Sequence, residues 1–239
     1  MNRLRGRLQR HDEGFTLVEM LVGMVLFSLV MSAIITTVLS STRATNTTKQ
    51  IEDANEEARL ALVRISRELR QASSLDAATL FATGPEATNG WASSITFSVD
   101  FNGNGTIEPD AVDPEVLTYR YVPDTSGAGN GQIELTANDA SGTAVVRPIL
   151  SAHVSAFHIE LRSSQWSCDT SGDGTATWQE LDTNTNATCR HPDNNGVLDN
   201  NELQQIDSVK IVFTVFEGSH KQDYRSQINL RNVGVSSSS

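Results

Sequence analysis

The sequence predicts an α+β protein in which a long N-terminal α-helix packs its second half on an antiparallel β-sheet. Three features of the chain predict it. Met20 to Thr42 is 23 residues with no charged side chain and a largely apolar first twenty. Apolar residues then recur at helical spacing as far as Ala72, and beyond Ser74 the spacing drops to two.

The first element is the uncharged run itself. About 18 consecutive apolar residues suffice to cross the hydrocarbon core of a bilayer, so residues 15–42 read as a membrane span. Residues 1–14 carry Arg3, Arg5, Arg7 and Arg10 against Asp12 and Glu13, whereas the nearest cations on the far side are Arg43 and Lys49. The basic excess predicts a cytoplasmic N-terminal side, which places the bulk of the chain across the membrane. A cleaved secretory signal shares the basic start, but its apolar core is usually about 7–15 residues and ends at a small-residue site. The run from Phe15 is longer and continues into a helical pattern.

Glu19 interrupts the apolar run near its start. A carboxylate in lipid costs a few kcal/mol and calls for a partner, unless it lies at headgroup depth. Together with the basic leader, the string Gly14-Phe15-Thr16-Leu17-Val18-Glu19-Met20-Leu21 resembles the cleavage and methylation signature of type IV prepilins and type II secretion pseudopilins. The resemblance covers roughly residues 1–42. It implies a leader at 1–14, a prepilin peptidase cutting after Gly14, and N-methylation of Phe15. It also implies that Glu19 pairs with the terminal amine of a neighbouring subunit during assembly. A carboxylate and an ammonium that leave water together cost less than either left alone.

The second element is the amphipathic half of the helix, expected to end near Ser73. Ile51, Ala54, Ala58, Leu62, Ile65, Leu69 and Ala72 define one face, with Glu52, Asp53, Glu56, Glu57, Arg64, Arg67, Glu68 and Arg70 mainly elsewhere. Ser40 to Thr48 is rich in hydroxyl side chains that compete for backbone hydrogen bonds. It reads either as a flexible joint or as a plain helical segment.

The third element is the head, residues 74–239. Ile95/Phe97/Val99, Leu117/Tyr119/Tyr121, Phe157/Ile159/Leu161, Val209/Ile211/Phe213/Val215 and Ile228/Leu230 alternate as half-buried strands do. Turn-forming clusters at Ser126–Gly131 and Asn138–Gly142 separate them. Ser236 to Ser239 reads as a frayed tail.

Three acidic loops interrupt the strands. Asp169 to Glu180 (DTSGDGTATWQE) matches a calcium loop: Asp169, Ser171 and Asp173 at positions 1, 3 and 5, Gly174 at 6, Thr175 at 7, Thr177 at 9 and Glu180 at 12. Ala176 takes position 8, where a larger apolar residue is usual. His191 to Glu202 is a weaker relative that offers Asp193, Asn195, Val197 through its carbonyl, Asp199 and Glu202, with His191 at position 1. Asp100 to Ala111 offers Asp100, Asn102, Asn104, Thr106 through its carbonyl, and Glu108, with Asp110 or Asp113 standing in for the missing twelfth ligand. Hard oxygen donors at these spacings suit Ca²⁺, here in a structural role; polar Asx-rich turns are the alternative. Cys168 and Cys189, with 20 residues between them, bracket the first loop. In an oxidising compartment a bridge there would contribute roughly 3 kcal/mol in the chain-entropy model; two unpaired buried thiols are the alternative.

Charge and motif content exclude other classes. The 239 residues hold 18 Lys+Arg and 29 Asp+Glu, a net charge of −11, which argues against binding nucleic acid. Two cysteines and 16 glycines exclude disulfide-dense and collagen-like chains. None of His11, His153, His158, His191 and His220 sits in a catalytic motif, and His158 reads as a solvent-facing strand residue; the chain is not expected to be an enzyme.

The expectation is therefore a structural subunit in the inner membrane, single-pass with a periplasmic head, and afterwards in a pilus or pseudopilus. Its partners would be other pilin or pseudopilin subunits and the prepilin peptidase. The large head resembles PilW-type minor pilins or the J-type pseudopilin. A membrane-tethered calcium-dependent adhesin or binding module that never polymerises is the competing reading.

Overall fold

The computed structural model describes residues 16–124, 131–164, 166, 169, 172, 176–178, 180, 198–218 and 220–230. The chain divides into two compact units at Lys49/Gln50. Helix α1 (Leu17–Arg70, 54 residues) supplies the described part of the first and the opening of the second.

In the first unit Thr16 starts the helix. Its hydroxyl accepts the Glu19 N–H at 3.3 Å and its carbonyl accepts the Met20 N–H at 3.2 Å, the hydroxyl contact being the N-cap half of a capping box. An 18-residue window here reaches a mean hydropathy of 2.3, so by length and composition α1 suffices to cross a membrane. The Ser/Thr-rich segment is helical rather than a break. Thr45, Thr47 and Thr48 donate their hydroxyls to the carbonyls of Ser41, Arg43 and Ala44 at 3.0–3.1 Å. Back-bonding of this kind satisfies the side chain within the helix.

In the second unit Ala58, Ala61, Ile65, Leu69 and Ala72 join the core, as the period-3.6 pattern requires. Three of these positions are small, which lets the helix approach the strands closely. Glu68, placed by its charge on the polar side, is instead only 6 % exposed. It accepts the Tyr119 hydroxyl at 2.5 Å and the Arg64 Nε at 3.0 Å, and these contacts explain its burial. Burial, then the Glu68 carboxylate, push the Tyr119 hydroxyl far above its ordinary pKa. Arg67 and Arg70 occupy the last turn, where cations favour the helix dipole.

Among the described residues seven strands follow: β1 (Ser74–Leu80), β2 (Ala92–Ser98), β3 (Val116–Val122), β4 (Gly131–Asn138), β5 (Ala144–Arg162), β6 (Ser208–Glu217) and β7 (His220–Asn229). The short helices α2 (Pro85–Thr88) and α3 (Asn200–Leu203) lie between them. All pairings are antiparallel, in the order β1-β2-β3-β4-β5-β6-β7. The 19-residue β5 changes partner along its length: Ala144–Val154 pairs β4 and Val154–Arg162 pairs β6, with a register shift between Val154 and Ala156. Ala92 also pairs Ile159, so the pairings β2-β3-β4-β5 form a closed circuit.

The alternating residues point as their spacing demands. Ile95, Phe97, Leu117, Tyr119, Ile133, Phe157, Ile159, Ile211 and Phe213 are all buried. Gly131 admits the Tyr121 ring: a Cβ there would lie 2.5 Å from Tyr121 Cε2.

His158 differs from its expectation. Its ring stacks on Trp91 with centroids 3.7 Å apart, and its Nε2 lies 3.6 Å from Glu160 Oε1. The side chain is 15 % exposed and is not solvent-facing, because Trp91, just ahead of β2, covers that end of β5. Beside it Glu160 also binds Arg162 Nη2 at 2.5 Å and Lys210 Nζ at 2.7 Å. Burial alone would raise the Glu160 pKa, but hydrogen bonds from His158, Lys210 and Arg162 outweigh it and hold the carboxyl down at about 2.

Candidate functional site

Two places gather the residues that carry chemistry: the start of α1 and the acidic loops. At the helix start, Thr16-Leu17-Val18-Glu19 is a T-x-x-E string, a capping-box pattern readable directly from the sequence. It places Glu19 in the first turn, where a carboxylate is favoured by the helix dipole. Glu19 is exposed, and among the described residues no side chain forms an ion pair with it. It is a carboxylate in the first turn of an apolar helical segment. Gly14 and Phe15 lie outside the described residues.

Among the loops, 100–108 is described throughout. Asp100 Oδ1 accepts the N–H groups of Gly103 at 2.7 Å and Asn104 at 3.2 Å, and Oδ2 accepts that of Gly105 at 2.8 Å. Asn102 and Asn104 close successive Asx turns onto the N–H groups of Asn104 and Thr106. Their amides also reach the Glu108 carboxylate, at 3.0 Å each. Gly103 and Gly105, with φ of 72° and 78°, provide the left-handed turns this path requires. Asp100, Asn102, Asn104 and Glu108 are thus brought together.

The stand-ins for the twelfth ligand are not part of that cluster. Asp110 Oδ1 accepts the Asn138 amide at 2.8 Å, and Asp113 lines a separate cleft. Glu115 was not anticipated. Only 1 % exposed, it accepts the N–H groups of Phe101 and Glu108 at 3.0 Å each and so anchors both arms of the loop. Its spacing from Asp100 fits no template, so no sequence signal marked it.

In the other two loops the described residues repeat one arrangement. Thr177 and Glu180, at positions 9 and 12, cap each other: the Thr177 N–H reaches Glu180 Oε2 at 3.0 Å and the Glu180 N–H reaches Thr177 Oγ1 at 3.3 Å. Asp199 and Glu202, again positions 9 and 12, do the same at 3.0 and 3.1 Å. Ala176 and Leu198, both at position 8, pack against the core. Trp178 is buried and donates its indole N–H to the Gly90 carbonyl at 2.6 Å. Asp169 accepts the Gly172 N–H at 2.6 Å, and Glu202 is 1 % exposed.

Cys168, Ser171, Asp173, Thr175, Cys189, Asp193, Asn195 and Val197 lie outside the described residues. Among the described residues no three His, Cys, Asp or Glu side chains converge as a metal cluster. The 100–108 loop offers two carboxylates and two amide oxygens, hard oxygens of the kind Ca²⁺ takes, although the two amides face Glu108 with their Nδ2 groups and turn their Oδ1 atoms to backbone N–H groups.

The model of the prokaryotic N-terminal methylation motif matches residues 9–35. The matched span contains Gly14, Phe15, Thr16 and Glu19 and supports the type IV prepilin-like class, whose members are structural. In general terms the motif implies interaction with other pilins and with the prepilin peptidase, and together with the apolar helix it suits a membrane-anchored pilin. No curated protein and no solved structure matches the chain.

Proposed function

We propose that the chain is a minor pilin or pseudopilin that primes or caps assembly of a type IV pilus or type II secretion pseudopilus. A prepilin peptidase cuts after Gly14, Phe15 becomes the methylated terminus, and the head faces the periplasm. The observation that carries the reading is Glu19: one exposed carboxylate in the first turn of α1, at the head of its uncharged run Met20–Thr42 and inside the matched methylation motif. Such a group is costly in an apolar environment until a cation meets it, and the amine freed at Phe15 of a neighbouring subunit is that cation.

Ca²⁺ has a structural role in this reading. Hard-oxygen donors from Asp100, Asn102, Asn104 and Glu108 fit it, and the paired position 9 and 12 residues favour the same template in the other two loops. A Cys168–Cys189 disulfide would close the first of those loops.

Glu19→Ala tests the function. Each ~1.4 kcal/mol lost from the contact between subunits costs about tenfold in the assembly equilibrium. Incorporation into filaments should collapse while membrane insertion persists. Unchanged incorporation would exclude the pairing.

A further inference from the structure

Between the end of α1 and the strands of the second unit lies a cleft of about 350 Å³, within the roughly 300–1,000 Å³ range of small-molecule sites. Its floor follows from strand register. Leu135 pairs Arg147 and Ala137 pairs Val145, so these four side chains share one face of β4 and β5, and Leu117 of β3 continues it. Leu117 and Leu135 are buried. Phe101, Val112 and Pro114 form the outer wall. The backbone N–H of Phe101 donates to Glu115, a carboxylate 1 % exposed, at 3.0 Å, which fixes that wall in place. Beyond α1 three large apolar side chains are exposed among the described residues, Phe101, Val112 and Val146, and two of them stand in this wall. Exposed apolar groups gathered at one concave place mark a binding surface, whereas scattered ones need no explanation.

Charge is sorted at the same place. Arg64 and Arg67 reach the cleft from the last turns of α1 and Arg147 from β5, while Glu68 and Asp113 are the carboxylates of the lining. Glu68 is already committed, accepting the Tyr119 hydroxyl and the Arg64 Nε. Among the described residues Arg67 and Arg147 form no ion pair, and both are exposed. Three guanidinium groups against two carboxylates leave one positive charge over the apolar floor, in a chain whose net charge is −11.

We infer that this cleft binds a small apolar monocarboxylate. Arg67 and Arg147 take the carboxylate, whose geometry a planar guanidinium fork matches, and the hydrocarbon body covers Leu117, Leu135 and Val145. A hydrated inorganic anion would leave the floor in water, and a neutral apolar molecule would leave the surplus charge unpaired. A phosphate monoester carries nearly two charges and overshoots the single surplus. Binding here is independent of processing at Gly14 and of assembly.

Phenylbutanoate is the probe, titrated by calorimetry into the full-length protein in a non-ionic detergent. Saturable binding with a Kd of about 0.1 mM or tighter is expected. Acetate, which has the charge without the apolar body, and methyl phenylbutanoate, which has the body without the charge, should each bind at least about tenfold more weakly. Arg67→Gln combined with Arg147→Gln should weaken phenylbutanoate binding by about tenfold or more. Val112→Asp, which sets a carboxylate in the wall, should do the same by about as much. All three positions are exposed, so these substitutions spare the core. No saturable binding at about 10 mM, equal affinity for the methyl ester, or unchanged affinity in either variant would overturn the inference.

Discussion

Replacing Asp100 with alanine separates the two roles of the 100–108 loop. In the metal-free protein the carboxylate accepts three backbone N–H groups, from Gly103, Asn104 and Gly105. All three residues are exposed, so water replaces the lost acceptor and the net cost is about 1–2 kcal/mol. For a unit of this size each kcal/mol moves Tm by about 2–4 °C, so the metal-free variant should melt roughly 2–8 °C lower. Calcium adds a second difference. One site at a hundredfold excess over its Kd contributes about 2.7 kcal/mol, or roughly 5–11 °C on the same scale. On the proposed calcium reading, the substitution removes one of only two carboxylates in the cluster and with it that loop's share, and leaves the shares of the loops at 169–180 and 191–202. Thermal unfolding of the detergent-solubilised protein, followed by the fluorescence of Trp91, Trp166 and Trp178 in EDTA and then in excess calcium, measures both differences. The upward shift on adding calcium should be several degrees smaller in the variant. An identical shift in both proteins would refute the assignment of this loop as a site.

Other perturbations probe the fold that carries these loops. Leu69→Ala empties a fully buried position and should cost about 2–5 kcal/mol in urea unfolding. Leu60→Ala, on the exposed side of α1, should stay within about 0.5 kcal/mol. Gly131→Ala drives a Cβ to 2.5–2.8 Å from the Tyr121 ring and should cost about 1–3 kcal/mol, a penalty that a Tyr121→Ala background relieves in a double-mutant cycle. Glu160, held at about 2 in the folded state, contributes stability above its unfolded pKa that disappears as the pH falls toward 2. Glu160→Gln should therefore destabilise by at most about 3 kcal/mol at pH 7, less after solvent screening, and by almost nothing at pH 2 in paired denaturation curves.

Much of this architecture is legible in the sequence because burial enforces a period. Ala58, Ile65 and Leu69 recur at helical spacing, and Ile95/Phe97, Phe157/Ile159 and Ile211/Phe213 alternate, because each set faces one core. Elements without that constraint are not legible. β1 lies at the sheet edge and reads as Ser-Leu-Asp-Ala-Ala-Thr-Leu, with little alternation. The first half of β5 contains Pro148 and pairs a different strand from the second half, so no single pattern spans it. Buried carboxylates are hidden for another reason. Glu68 and Glu115 have the composition of surface residues, and only the Tyr119 hydroxyl and the backbone N–H groups brought by distant turns make their burial tolerable. At the sites, the Asp100 cluster and the position 9 and 12 pairs follow from local spacing. The failure of Asp110 to join its cluster follows from Asn138, which lies 28 residues away in the chain.

On the proposed reading, Glu19 acquires its partner only when removal of the first fourteen residues makes Phe15 a terminus. Intact mass and N-terminal sequencing of the protein recovered from its native membrane test this directly. The account predicts a chain that starts at Phe15 and carries one additional methyl group on its amine. A chain that still starts at Met1, with an unmodified terminus, would contradict it.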